Sequence, residues 1–493
     1  MDVSRRDFIK VASAAAGAAA MRGAYGAEGR TRIPVRMFWS WDQSTNWCEN
    51  VDGSQTTGVG NGYTKNIPWK FFVEDYKRVV DWCAGHDMQA VGIVGLLRDR
   101  HGGIDAVRRL CSYANSKGVK IYIIGGLFAY GGAYYEGNSK WSLDRFLEDN
   151  KDCMARRADG SPHYARFLDH GGTKTEPQGC PSSQKLKDYV IESYGWLFKT
   201  IPELGGIQME AGDNGVCQCP RCKERRGKRA AKEYMSLEDM AGIYPQVASA
   251  VRSQNRDALI ICETYHHFLD KACGIFYENP PGKDAKALFD MPRDTYWQWQ
   301  CDGMLDAGAW SEGAALPPEM AKFHNVMRSH AGTQWWGGRD SFDVDKIRRQ
   351  CRLSFLSGLD AVSMFGEVSP FNANAEFNYL ALQYFADNPL LSMDDFAKNV
   401  MSPLLGGDGQ AADWIRWARL EHEPEKIPEA SAAIVRIAAD SVSHPEIRRR
   451  WTHLAHRLDS FYWEWERNGH QSPIYCKHPV PEKPETPPAP PHL

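Results

Sequence analysis

Three glutamates, Glu210, Glu263 and Glu367, each close a short apolar run with the character of a β-strand. Gln208 and Glu210 alternate with Ile207 and Met209. Ile261 and Glu263 share a face with Tyr265, and Ser363 and Phe365 share one with Glu367. Side chains switch sides at each step along a strand, so these carboxylates lie opposite the apolar set. Two such groups can cleave a glycosidic bond: one carboxylic acid protonates the leaving oxygen, while a second carboxylate attacks, activates water or stabilises oxocarbenium-like charge. A lone carboxylate on a strand is more often a salt-bridge partner; three at equivalent positions are harder to assign that way. Glu210 is the candidate acid, and Glu263 and Glu367 are the candidates for its partner.

Further polar and aromatic groups follow other apolar runs. Asp42 ends the first, and Arg98-Asp99-Arg100-His101 ends the second. Tyr130, Tyr134 and Tyr135 come among glycines after the third. Asp213 follows Glu210 within Gly212-Asp213-Asn214-Gly215, which is also favourable turn chemistry. Tyr265, His266 and His267 follow Glu263, and Gln298 lies on the sixth run. Trp335, Trp336, Arg339 and Asp340 form a Gly-containing loop suited to stacking on sugar rings and binding their substituents. Arg98 or Arg339 could hold a substrate carboxylate through both arms of its guanidinium, as a uronic or sialic acid would require. Trp39 and Trp41, and again Trp297 and Trp299, alternate so as to face outward, toward helices. A second chemistry is open: Glu263, His266 and His267, with Asp42 or His101, could bind a divalent metal in a hydrolase or isomerase. A barrel that binds carbohydrate without turning it over is the third reading.

Cys217-Gln218-Cys219-Pro220-Arg221-Cys222 puts three thiols in one loop shortly after Glu210. This spacing can wrap a tetrahedral metal. Cys180 is the favoured fourth ligand, ahead of His163 or His170. Structural zinc is the leading expectation, with a disulfide plus a free thiol as its rival. The other cysteines of the 13 are scattered, and Cys83, Cys111 and Cys351 fall in helical patterns as buried apolar groups.

These candidates need a scaffold that gathers strand ends. Strand-like runs at 35–41, 90–97, 119–125, 206–211, 259–264, 295–300, 325–329 and 361–365 alternate with helical patterns at 69–85, 104–117, 183–200, 237–255 and 344–359. Alternation of this kind implies a parallel sheet, and eight strands imply a closed (β/α)8 barrel, an α/β fold with its chemistry at the C-terminal ends of the strands. No glycine-rich dinucleotide fingerprint follows the first strand. We expect the barrel over 32–376, a helical C-terminal region over 377–470 and a Pro-rich disordered tail over 479–493.

The N-terminus carries Ser4-Arg5-Arg6-Asp7-Phe8-Ile9-Lys10, then an Ala-rich stretch and small residues near Ala24 and Gly26. This resembles a bacterial twin-arginine signal peptide over 1–27 and implies export, by the twin-arginine machinery, of a chain already folded, to the periplasm or beyond. With 59 basic and 62 acidic residues, the chain offers no sign of a nucleic-acid face or a basic membrane patch. A homodimer through the C-terminal helices stays open.

The barrel pattern, the glutamate ending the fourth strand and the Trp-rich strands resemble the glycoside hydrolase superfamily of (β/α)8 barrels, nearest the hexosaminidase and α-glucuronidase types. The resemblance covers roughly residues 32–384. It implies that the carboxylate ending the fourth strand, here Glu210, is the general acid, and that no catalytic cofactor is needed. The chain departs from the related patterns: Met209 precedes Glu210 where Asn or Asp would stand, and there is no D-x-x-D-x-D-x-E run.

Overall fold

The computed structural model describes residues 30–42, 45, 47, 72–169, 172–210, 215–226, 235–264, 286–300, 305, 310, 312, 313, 316, 320–331, 341–467, 469 and 470. The segment 1–27 expected to be a signal peptide and the Pro-rich stretch 479–493 lie outside them.

Ten strands are present among these residues: β1 (Val35–Trp41), β2 (Ala90–Val94), β3 (Lys120–Gly126), β4 (Tyr164–Asp169), β5 (Gly172–Pro177), β6 (Gly206–Glu210), β7 (Leu259–Glu263), β8 (Tyr296–Gln300), β9 (His324–Arg328) and β10 (Ala361–Phe365). Eight close a parallel barrel in the order β1-β10-β9-β8-β7-β6-β3-β2. The chain is therefore a (β/α)8 barrel with a helical C-terminal region. Strands β4 and β5 form a separate antiparallel hairpin that the sequence reading passed over. The second of them reads Gly-Thr-Lys-Thr-Glu-Pro, with no apolar alternation to reveal it.

Parity along each strand divides the core in two. Outward residues such as Phe38, Ile93, Ile123, Met209, Cys262 and Met364 pack with the surrounding helices. Inward residues Met37, Trp39, Val94, Tyr122, Ile124, Ile261, Val326 and Phe365 fill the barrel axis. Trp297 and Trp299 face outward, as their alternation implied. Trp39 and Trp41 do not. They point inward, Trp39 with its ring 4.5 Å from that of Phe365, because Phe38 takes the outward position against Tyr379. Gly92, which pairs with both Trp39 and Tyr122 across the sheet, leaves room for the inward Tyr122 ring, which a Cβ there would approach to 2.3 Å.

The helix Ala373–Asp387 crosses the boundary expected at 376/377 and belongs to the barrel. The amide of Ile33 donates to the carbonyl of Ala386 at 2.8 Å just before β1, and Arg36 on β1 pairs with Asp387. This helix is buried on nearly every side, so its sequence lacks the amphipathic stripe that would mark a barrel helix. Beyond it, helices Ile427–Asp440 and Pro445–Arg467 pack on each other. Glu376 ties the second of them to the barrel. It accepts a bidentate pair from Arg450 at 2.9 and 2.8 Å and a bond from Arg449 at 3.0 Å. Among the described residues no helix is long and apolar enough to cross a membrane.

Candidate active site

The C-terminal half of the barrel axis is polar. Gln208 and Glu210 on β6, Glu263 on β7, Gln298 on β8, Arg328 on β9 and Ser363 on β10 occupy inward positions. All six are buried. Extending the β6–β7 register by one residue sets Glu210 beside Glu263. Strand β10, which leads to Glu367, is diametrically opposite β6 in the ring.

The three glutamates are held differently. Arg328 lies 3.1 Å from Oε1 of Glu263, and Gln298 donates to the same oxygen at 3.4 Å. The guanidinium of Arg328 also stacks over Trp39, 5.0 Å from the ring centre. Glu367 accepts the backbone amide of Trp41 at 3.0 Å. Glu210 receives a long bond from Gln208 on Oε2, at 3.4 Å, while its Oε1 has no hydrogen-bond partner among the described residues. Oε1 of Gln208 and of Gln298 are likewise buried without partners there. Buried acceptors are normally satisfied, so a group of them along one axis marks a place built for a donor-rich occupant.

Glu210 opens into a small cleft lined by Phe128, Gln178, Gly179, Val216, Cys217 and Asp239. Its register partner on β3 is Gly126, where a Cβ would fall 1.9 Å from the carbonyl oxygen of Ala129. Only glycine lets the chain double back there and carry Tyr130 to the mouth. Tyr130 takes a left-handed backbone, φ 51°, which is uncommon for a bulky residue and concentrates at functional sites. Its ring meets Trp41 edge-on at 5.8 Å. Trp41 and Tyr130 thus form an aromatic wall at the mouth.

Asp42 and Arg98 come together, but with each other. Nε of Arg98 lies 2.7 Å from Asp42 Oδ2, its Nη2 donates to Oδ1 at 3.2 Å, and His101 Nε2 lies 2.5 Å from Oδ2. Nη1 of Arg98 donates to Glu136 at 2.7 Å, and Glu136 also holds Arg100. Burial opposes the charge on Glu136, yet Arg100 and Arg98 hold its carboxyl below the usual range. With a side chain 0% exposed and both arms occupied, Arg98 has none left for a substrate carboxylate. Asp213, Tyr265, His266, His267, Trp335, Trp336, Arg339 and Asp340 lie outside the described residues, and so does the histidine metal site proposed from 266 and 267.

Side chains on the outer helices pin the strand ends that carry this site. The Tyr244 hydroxyl bonds the carbonyls of Met209 at 3.1 Å and Glu263 at 2.8 Å, joining the ends of β6 and β7. Burial first, then nearby Cys262, Glu263 and Glu210, push its phenol well above the ordinary value, so it keeps its proton. Tyr194 donates to the Gly126 carbonyl at 3.0 Å. Gln350 donates to those of Met327 and Ser363 at 2.8 and 3.1 Å. The sequence reading missed these positioning groups and Arg328. A polar tip in an apolar helical stripe is the signal that could have found Tyr244 and Gln350.

The sulfurs of Cys180, Cys217, Cys219 and Cys222 all lie within 4.8 Å of one another, close enough to hold a metal ion. His163 is not one of this set, and His170 is outside the described residues. Hydrogen bonding with Cys180 and then Cys217 holds the Cys222 thiol well below the ordinary range despite its burial, with Ser182 and Arg225 contributing.

No family model matches the sequence, and no curated protein matches it. Solved structures do. A GH138 enzyme targeting pectin rhamnogalacturonan II is 10% identical, with 89% of this chain covered and a TM-score of 0.47. The chain spans 58% of that protein's length. Eubacterium rectale Amy13B is 10% identical, covering 74% of this chain and 81% of its own, with a TM-score of 0.43. The α-amylase from Geobacillus thermoleovorans is 12% identical, covering 76% and 78%, with a TM-score of 0.40. The barrel assignment stands on the closed strand order of the chain itself.

Proposed function

We propose that this protein is a glycoside hydrolase with Glu210 as its general acid. The observation that supports this most is the buried Oε1 of Glu210, without a partner among the described residues, opening into a cleft at the C-terminal end of the barrel. An acid that must protonate a leaving oxygen needs an oxygen free of competing donors. Glu263 is the second carboxylate. Arg328 and Gln298 keep it oriented. Being on the neighbouring strand, it suits a retaining enzyme, whose carboxyl groups stand about 5 Å apart; Glu367, across the ring, would suit inversion with a water between. Trp41 and Tyr130 offer apolar faces to a sugar ring. The resemblance to hexosaminidase- and α-glucuronidase-type barrels puts the acid at the same strand end. For an acidic glycan, the guanidinium on the axis is Arg328, and Arg98 has no part in binding it. The reaction needs no catalytic cofactor, and the cysteine set holds a structural zinc. The twin-arginine sequence takes the folded enzyme to the periplasm.

The test is turnover of a panel of aryl glycosides and acidic polysaccharides by the wild type and by Glu210→Gln. A loss of about 10²- to 10⁴-fold with the fold intact is expected, the usual contribution of a positioned acid. Activity retained in Glu210→Gln, or no glycoside turned over by the wild type, overturns the reading.

A further inference from the structure

We propose that Cys180, Cys217, Cys219 and Cys222 bind one zinc ion in a closed tetrahedral site, and that this ion fastens the segment 215–226, which follows β6, to the segment entering the helix Gln184–Thr200. The sulfur of Cys180 lies 3.5 Å from that of Cys217, 3.8 Å from Cys219 and 3.7 Å from Cys222. Zinc–thiolate bonds of about 2.3 Å in a tetrahedron place sulfurs about 3.8 Å apart. A disulfide would draw two of them to about 2 Å and leave the others without a role.

The surroundings suit thiolates. The amide of Arg156 donates to the Cys217 sulfur at 3.4 Å, the Ser182 hydroxyl lies 3.0 Å from that of Cys222, and Arg225 donates to Cys222 at 3.4 Å. Four thiolates and one zinc carry a net charge of −2, which the Arg225 guanidinium offsets in part. Arg225 is itself oriented by Asp239. Such outer contacts are what orient metal ligands and tune their basicity.

The site has no open position, so the ion does no chemistry. Its effect is mechanical. Cys217 and Glu210 line the same cleft, and the amide of Gln218 donates to the Arg156 carbonyl at 2.7 Å. Removing the metal would release that wall. This consequence for turnover rests on the hydrolase reading; the binding of metal does not, so the two can fail separately.

The experiment is elemental analysis of the purified full-length chain, with cobalt substitution. One zinc per chain is expected. The cobalt form should show the intense visible absorption of tetrahedral thiolate coordination. Cys180→Ser and Cys222→Ser should lose both signals, while Cys83→Ser, remote from the set, keeps them. Wild-type protein that is free of metal, with these four thiols titratable or oxidised to disulfides, overturns the proposal. So does stoichiometric iron in place of zinc. Because the wild type alone gives these readings, a variant that fails to fold leaves the proposal testable.

Discussion

Asp42 and Glu210 end two strands of the same barrel, both are buried, and their surroundings are opposite. Asp42 meets two nitrogens of Arg98 and one of His101 within 3.2 Å. Glu210 has one long contact from Gln208 and an oxygen with no hydrogen-bond partner among the described residues. A buried charge is tolerated when paired, and a pair that consumes every donor leaves nothing for a ligand. The β1–β2 side of the mouth is therefore built to hold its shape, and the β6–β7 side to receive something. Type and position alone made the two aspects look alike; the donor count separates them.

Removing a partner from each side sharpens the contrast. Arg98→Met would leave the buried Asp42 with a guanidinium lost and the half-buried Glu136 with Arg100 alone, at a cost of about 5 kcal/mol, the upper end for breaking a buried ion pair. Glu210→Gln, by contrast, should change stability by less than about 0.5 kcal/mol, since it removes no strong contact. Urea unfolding of the two variants measures both. Equal destabilisation would erase the distinction drawn between the two sides.

Glu376 extends the paired class to the C-terminal helices and gives it a pH dependence. Burial raises its pKa, but Arg450 and Arg449 outweigh burial and hold the carboxyl below its ordinary value of 4.5. A folded-state pKa below the unfolded one stabilises above the unfolded value, and that contribution is lost as pH falls through the folded one. The docking of helix Pro445–Arg467 should therefore weaken in acid, starting below about pH 4.5. Glu376→Gln keeps one acceptor for the guanidinium groups, so its cost at neutral pH should be near ~3 kcal/mol. It should also flatten the acid dependence of the melting temperature. A variant that retains the wild-type acid slope would place that slope elsewhere.

Strand parity made the barrel legible. The inward placement of Glu210 could be read from its alternation with Ile207 and Met209, and that of Glu263 from the face it shares with Ile261. The same rule misled for Trp39 and Trp41, because alternation alone does not say which parity faces inward; that is set by packing across the barrel, where Trp39 meets Phe365 and Phe38 takes the outward place against Tyr379. The expected boundary at 376/377 falls inside helix Ala373–Asp387, which is buried on nearly every side and so reads like a helix of the appendage. The thiol set was legible in three of its members from spacing, and Cys180 joins them through a contact 37 residues distant in sequence. The pairing of Arg98 was not legible at all, since its partners Asp42 and Glu136 are distant in sequence.

Tyr244 tests the smallest effect, and the one most specific to the receptive side. Its hydroxyl bonds the carbonyls at the ends of β6 and β7, beside the two glutamates, from a helix that touches neither carboxylate. Tyr244→Phe keeps the ring and its packing and removes the one O–H that the two buried carbonyls share, which should cost about 1–2 kcal/mol in chemical denaturation. If Glu210 and Glu263 act as a pair, their separation depends on those strand ends. The variant should then lose turnover roughly tenfold or more, because a displacement of about 1 Å is enough to cost that much. The KM should change little, since the aromatic wall of Trp41 and Tyr130 is untouched. A Tyr244→Phe enzyme with unchanged kcat and the expected loss of stability would show that the hydroxyl supports the fold alone, and that the strand ends hold their spacing without it.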